Sequence, residues 1–471
     1  MAKIHAMMDI GKRSMMNSQT SLQTTAHNIA NKTTEGYSRQ RVETVTAPPV
    51  QEGRLQLGMG SRAALVTRVN SPFLEKQIQK ETGQMGYLDG QADAMSRVEQ
   101  VFNEQANNKG LNQYISDFFN SFRELSNNPE STTTRTMVKE SADSMAQDFR
   151  RVDKQLSDIQ KDIDLQIKAG VQEINNMTRE IAALNSQIHQ TEMQGIPAND
   201  QRDRRDLLLK RLNEKVDIKV AEGDRGMVTV QTAGNALLVS GLDSTNLETY
   251  HDPSDDRVRI YARPSESHPP FEITSRIKGG SIGGVLHVRD VVIDDIRSNI
   301  DQIAFAISKE VNDAHLQGFD RNGKQAGFFF NPLSEVGGAA KKIALSSEVA
   351  DDVTRIATAA KTGAPGDATI SNVISMIQYN KVLDGGTASI DDFYNGQVGR
   401  IGVMAQTANK TREAQGNILQ QANALRESIA GVSLDEEATK MIEFQKTFDA
   451  SARLIRTADE MFDTVLNLKR M

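Results

Sequence analysis

The sequence of 471 residues contains no cysteine and no tryptophan, and only 16 Phe and 7 Tyr. Without cysteine there are no disulfides, no thiolate metal ligands and no Cys nucleophile, and the redox compartment stays open. So few aromatic side chains suit elongated helices with thin cores better than one compact globule. No run of ~20 apolar residues is present to span a bilayer, and Met1 to Asp9 lack the ~7 to 15 consecutive apolar positions of a cleavable signal peptide. An excess of positive charge is missing as well. The formal net charge is -7, with basic and acidic residues mixed throughout, so neither nucleic acid nor membrane insertion is expected.

The length allows roughly two to four domains. The strongest pattern lies at the C-terminal end, where Met441, Phe444, Phe448, Ser451, Ile455, Ala458, Phe462 and Val465 step by 3 and 4 and so share one helical face. Ser433 and Glu436 have the spacing of a capping box. Asp435, Glu436 and Glu437 suit the positive end of the helix dipole, and Lys469 and Arg470 the negative end. A helix of roughly 35 residues, about 50 Å long, is expected. Each large stripe side chain stabilises by ~1.5 to 3 kcal/mol only once it is buried, so this helix needs a partner.

The first 30 residues carry the same spacing. Ile4, Met8, Gly11, Met15, Ser18, Leu22, Thr25 and Ile29 form a second, weaker stripe. Two single-stripe helices at opposite ends of the chain predict that the termini pair. Between them, Asn31, Thr33 and Gly36 carry turn chemistry, and Arg41 to Thr46 reads as a strand stopped by Pro48 and Pro49. Helical periods return from Pro72 to Phe102 and from Leu111 to Leu125, then run from Val152 to Ile188 before Gly195-Ile196-Pro197.

Near Val216 the period changes to two. Met227 to Thr232 and Ala236 to Val239 flank Gly234-Asn235, a hairpin signal, and Arg257 to Tyr261 alternates again. Helix resumes at Gly284 and runs through Val311, and again from Ala368 to the C-terminus. The fold class is therefore mainly α with an inserted β domain: terminal helices pairing as a coiled coil, a long antiparallel helical bundle, and a small β-rich outer domain. The expected domains are 1–36 plus 432–471 for the coiled coil and 37–216 plus 281–317 plus 366–431 for the bundle. The β-rich insert is 217–280, with 318–365 left open as an addition to it.

Sites of chemistry are hinted at and have simpler explanations. Gly279-Gly280-Ser281-Ile282-Gly283 fits a nucleophile elbow, with His287 and His315 downstream, but the doubly wound sheet that such an elbow requires has no strands to build it. Asp320-Arg321-Asn322-Gly323-Lys324 begins like a calcium loop, yet Lys324 stands at a ligand position and Asn331 replaces the closing Glu, so a β-turn is expected. The seven histidines, His5, His27, His189, His251, His268, His287 and His315, are scattered. No catalytic residue, metal or cofactor is assigned, and the acidic turn Asp252 to Asp256 reads as a solvated loop.

The stretch Asn28-Ile29-Ala30-Asn31-Lys32-Thr33-Thr34-Glu35-Gly36-Tyr37 resembles the N-terminal signature of the axial proteins of the bacterial flagellum. Arg68 to Gln77, with Ser71 where the family usually has Asp, Phe118-Phe119, Leu125 to Pro129, Asn199-Asp200 with Arg204 to Leu208, Gly279 to Asp290 and above all Gly431 to Glu437 with Phe444-Gln445 and Arg453 to Ile455 are similar to the hook-associated protein 1 family. The resemblance implies a non-enzymatic, extracellular structural subunit at the hook-filament junction, exported without a cleavable signal peptide by the flagellar type III system. Its implied partners are copies of itself in a ring, the hook protein, the second hook-filament junction protein and an export chaperone. The expected assembly interface is Ile4, Met8, Met15, Leu22, Ile29, Met441, Phe444, Phe448, Ile455, Phe462 and Val465. Alternative readings are a hook or distal-rod subunit, a secreted adhesin that uses the β insert, or a cell-wall hydrolase that uses Ser281.

Overall fold

The computed structural model describes residues 2–52, 54–102, 110–223, 226–264 and 268–468. Lys469 and Arg470, expected at the end of the last helix, lie outside the described residues. Helix α1 (Ala2–Ala30) leads through a turn with Gly36 at φ 82° into β1 (Gln40–Thr46). The strands β2 (Val50–Glu52) and β3 (Leu55–Leu57) form the tip of a ribbon, and β4 (Ser61–Arg68) returns antiparallel to β1. This ribbon lies along α1: the Asn17 side chain donates to the Ser61 carbonyl at 2.9 Å and accepts from the Ala63 amide at 2.7 Å.

The bundle is built from α2 (Pro72–Val101), α3 (Leu111–Asn127), α4 (Thr132–Glu192) and α5 (Asn199–Lys215). Helix α4 has 61 residues and starts well before the expected Val152, because Ser131 caps it by accepting from the Thr134 amide at 3.3 Å. Ser71 occupies the N-cap position of α2 but makes no side-chain capping bond.

Strands β5 (Ile218–Glu222), β6 (Val228–Thr232), β7 (Leu237–Ser240) and β8 (Asp243–Ser244) form an antiparallel meander. Asn235 at the β6–β7 turn takes φ 62°, as the hairpin signal requires. Strands β9 (Asn246–Asp252), β10 (Arg257–Arg263) and β11 (Phe271–Glu272) form a second sheet in the order β11-β10-β9. Two buried asparagines of α4 fix both sheets to it. Asn175 exchanges 2.8 Å bonds with the Leu247 amide and carbonyl, and Asn185 pairs with the Val228 amide and carbonyl at 3.2 and 2.9 Å. Each side chain thus satisfies strand backbone groups that would otherwise be buried unpaired.

The chain returns through α6 (Gly280–His287), one π-helical turn at Val288–Val292 and α7 (Ile293–His315). The π turn carries Arg289, fully buried against Asp164 of α4 and donating to the Val258 carbonyl of β10 at 2.9 Å. It also binds Asp290 at 2.7 Å, and Asp290 meets Arg257 at 3.2 Å. This cluster ties the second sheet to both α4 and α7.

Residues 318–365 include α8 (Ala339–Lys342) and α9 (Ser347–Asp351) and pack on the helices, not on the β domain to which the sequence left them open. Phe329 and Phe330 enter an aromatic cluster with Phe118 and Phe122 of α3, with ring centroids 4.9 to 6.0 Å apart. Lys342 ends α8, and a single bridge then joins Leu345 to Phe330. The turn at Asn322-Gly323 forms, with the Asp320 carboxylate accepting from the Asn322 and Lys324 amides at 2.8 and 2.9 Å. Helices α10 (Thr369–Met376), α11 (Ile390–Ala430) and α12 (Leu434–Leu468) complete the chain. One apolar core runs from Ala94 through the bundle and the β domain to Ala405, and a small satellite of Leu74, Ile78 and Ala422 joins α2 to α11.

His315 pins the 318–365 segment: Nδ1 lies 2.8 Å from the Gly327 carbonyl, and Nε2 accepts from the Ala357 amide at 2.8 Å. That pattern requires a neutral ring, and burial pushes its pKa down to about 4. Between pH 6.5 and 4 the unfolded chain binds the extra proton and the folded chain does not. The contribution is therefore complete above pH 6.5, falls as pH drops through this window, and amounts to roughly 3 kcal/mol in total. Urea unfolding at pH 7 and at pH 4.5 should show this loss, and His315→Gln should flatten the slope across the same window.

Candidate assembly interface

The two ends of the chain meet as an antiparallel pair. His5 and Phe462 rings lie 5.4 Å apart, the Ser14 and Ser451 hydroxyls 2.7 Å apart, and the Asn28 amide donates to the Glu437 carboxylate at 2.9 Å. The small residues, not the large ones, sit where the helices come closest. Gly11, Ser18, Thr25, Ser451 and Ala458 are buried, and a Cβ added to Gly11 would sit 2.7 Å from Ile455. The glycine, serine and threonine that weaken the N-terminal stripe in sequence are what allow this approach.

The large stripe residues flank this seam. Ile4, Met8, Met15, Leu22, Ile29, Met441, Phe444, Phe448, Ile455 and Phe462 are all half-buried, and Val465 is exposed. Helix α1 is covered on a further side by the β1–β4 ribbon, whereas the described contacts give α12 only α1 as an extensive partner. On α12, Leu434, Ile442, Leu454, Met461, Val465 and Leu466 remain exposed. A helix with this much uncovered apolar surface is expected to meet another molecule.

The base of the pair is a polar joint that sequence reasoning missed. Glu437, one helical step before Met441 on the stripe, is buried and bound by Asn28 and by Lys440 at 2.8 Å. Asn28 also accepts from the Tyr37 hydroxyl at 2.7 Å and the Gln40 amide at 2.9 Å. Burial, and then the charges of Asp200, Asp203 and Glu437, push the Tyr37 phenol well above its ordinary pKa, so it remains a donor. The expected capping box is not the use made of Glu436: its carboxylate takes Arg39 at 2.6 Å.

Asp200, Asp203 and Asp206 step by three along one face of α5. Asp200 accepts from Gln40 at 2.7 Å, Asp203 from the Ser38 amide at 2.9 Å and from Arg68 at 2.7 Å, and Asp206 from Arg68 at 2.9 Å. Burial raises the Asp203 pKa, and Arg68 and the Ser38 amide pull against it. The step of three carboxylates was the available signal; what they face depends on a loop some 160 positions away in the chain.

The glycines of the Gly279 to Gly284 stretch serve close packing. Gly280 takes φ +68° with no room for a Cβ beside the Lys215 and Val216 backbone, and Gly284 lies against the Tyr87 carbonyl of α2. Ser281 presents its carbonyl to Gly90 of α2. Both ring nitrogens of His315 are engaged by backbone groups, so it is not a base poised for Ser281.

Two family descriptions match the chain: the flagellar hook-associated protein FlgK helical domain over residues 95–330, and the flagellar basal body rod FlgEFG protein C-terminal region over residues 421–468. The first spans most of the bundle and the whole β domain, the second the end of α11 and the described length of α12. Flagellar hook-associated protein 1 of Bacillus subtilis is 29% identical, covering 98% of this chain and 97% of the relative. The proteins of that name from Escherichia coli and Salmonella typhimurium are 25% and 26% identical, each covering 96% of this chain and 97% of the relative. The solved structure of the flagellar hook junction protein FlgK from Burkholderia pseudomallei superimposes with a TM-score of 0.68 at 14% identity, over 75% of this chain and 100% of that one. With half of its length matched by the helical-domain family and nearly all of it aligned to these relatives, the chain belongs to the FlgK family of flagellar hook-associated proteins.

Proposed function

We propose that the chain is a structural subunit that joins the flagellar hook to the filament, forming a ring of copies through its terminal helix pair. The hook protein lies on one side of that ring and the second junction protein on the other. Export is by the flagellar type III route, with a dedicated chaperone in the cytoplasm. The observation that carries this reading is α12, whose apolar stripe is half-covered by α1 while further apolar side chains, among them Ile442, Met461 and Leu466, stay exposed. Apolar surface of this kind on one helix marks a site of contact with another molecule.

The flanking residues Met8, Met15, Phe444, Phe448 and Phe462 then act as contacts both within the pair and between copies. Electron microscopy of a strain lacking the gene provides the test. Hooks should remain while filaments are lost, and a strain that still carries filaments on its hooks would overturn the reading.

A further inference from the structure

We infer that the joint between the terminal helix pair and the bundle is a polar clasp that opens as a unit, letting the pair change its direction without unfolding either body. Among the described residues, none before Leu74 or after Ala422 belongs to the apolar core or its satellite. What crosses the joint is mainly polar: Arg68 to Asp203 and Asp206, the Ser38 amide to Asp203, and Gln40 to Asp200.

The backbone at the joint is drawn together at one residue. The Arg39 amide donates to the Ala430 carbonyl at 2.9 Å, and the Arg39 carbonyl accepts from the Val69 amide at 2.8 Å. Residues 69–72 and 430–434 are the two places where the chain passes between the bodies, so Arg39 binds both crossings side by side. Its guanidinium then reaches Glu436 on the far side.

Two physical features make this an opening joint. Arg68 and Asp203 are largely buried, at 10% and 7% side-chain exposure, and separating them returns both charges to water, which offsets most of their attraction. An apolar interface has no such compensation, since opening it only exposes hydrocarbon. The clasp thus combines a defined closed geometry with a low free energy of opening. What the opening serves rests on the assembly reading, namely adjustment of the helix pair as neighbouring copies dock; the clasp itself can be tested on the isolated full chain.

The test is amide hydrogen exchange by mass spectrometry on the full-length chain, its Arg68→Gln variant and the milder Asp206→Asn variant. Segments 36–40 and 68–70 should be protected in the unaltered protein but exchange faster than α4 and α5, as expected of a local opening. Their exchange should rise about tenfold or more in Arg68→Gln, less in Asp206→Asn, with α4 and α5 unchanged. The inference is overturned if these segments are unprotected in the unaltered chain, if they exchange at the rate of α4, or if Arg68→Gln accelerates α4 and α5 equally. Because no assembly is measured, failure here is separate from failure of the junction reading, which the gene deletion tests.

Discussion

Phe448→Asp is expected to leave residues 72–430 folded and to prevent incorporation of the chain at the hook tip. Phe448 is half-buried beside the seam between α12 and α1, so a carboxylate there removes part of the ~1.5 to 3 kcal/mol that full burial of a Phe contributes, and adds a charge that requires hydration. All of that loss falls on the terminal pair. The apolar core of the bundle and β domain runs from Ala94 to Ala405, and among the described residues it includes none of α12. Circular dichroism and limited proteolysis of the purified variant should therefore show an intact middle, while immunoelectron microscopy should find hook tips without the protein. A variant whose bundle unfolds, or one that still assembles, would count against the separation of folding from assembly proposed for these side chains.

Arg289→Ala should have the largest effect on stability, a loss of about 3 to 5 kcal/mol in urea unfolding, because it leaves the Asp164 carboxylate buried without its cation. The Arg289 side chain is fully buried and that of Asp164 is 9% exposed. The arginine also donates to the Val258 carbonyl at 2.9 Å. Removing both partners, as in Arg289→Met with Asp164→Leu, should restore only part of the loss: the orphaned charge is gone, but the Val258 amide and carbonyl that Asp164 and Arg289 satisfy are left without those partners. A single variant that loses less than about 1 kcal/mol would show that water reaches Asp164 and that the pair does not hold the second sheet.

Particular residues show how far the sequence could be read. The stripe from Met441 to Val465, the turn at Gly234-Asn235 and the helix beginning at Pro72 were legible because each depends on neighbours within a few positions. The 3- and 4-residue steps fix a helical face, and the left-handed backbone of Asn235 follows from a two-residue loop. In α4 the Val152 to Ile188 stripe was clear, but the polar segment from Thr132 to Gln147 has less apolar pattern, and its helicity rests on Ser131 and on packing against α3. Residues 318–365 gave no periodic signal of their own. Their place is set by Phe329 and Phe330, which reach Phe118 and Phe122, and by the Asn312 side chain, which binds the amides of both phenylalanines at 2.9 and 2.8 Å.

The candidate interface divides in the same way. By itself the sequence determined that both ends are helical, that each carries one apolar stripe, and that such stripes require a partner, because periodicity and burial energy are local properties of a segment. Only the tertiary structure decided that the pair is antiparallel, that Gly11, Ser18 and Ser451 form its close seam, and that Phe444, Phe448 and Phe462 stay half-open beside it. It alone matched the carboxylates of α5 to Arg68 and the 36–40 loop, and Glu437 to Asn28 across 409 positions. The physical reason is that the worth of a charge or a small residue lies in what stands opposite it, and that is fixed only when distant segments are brought together.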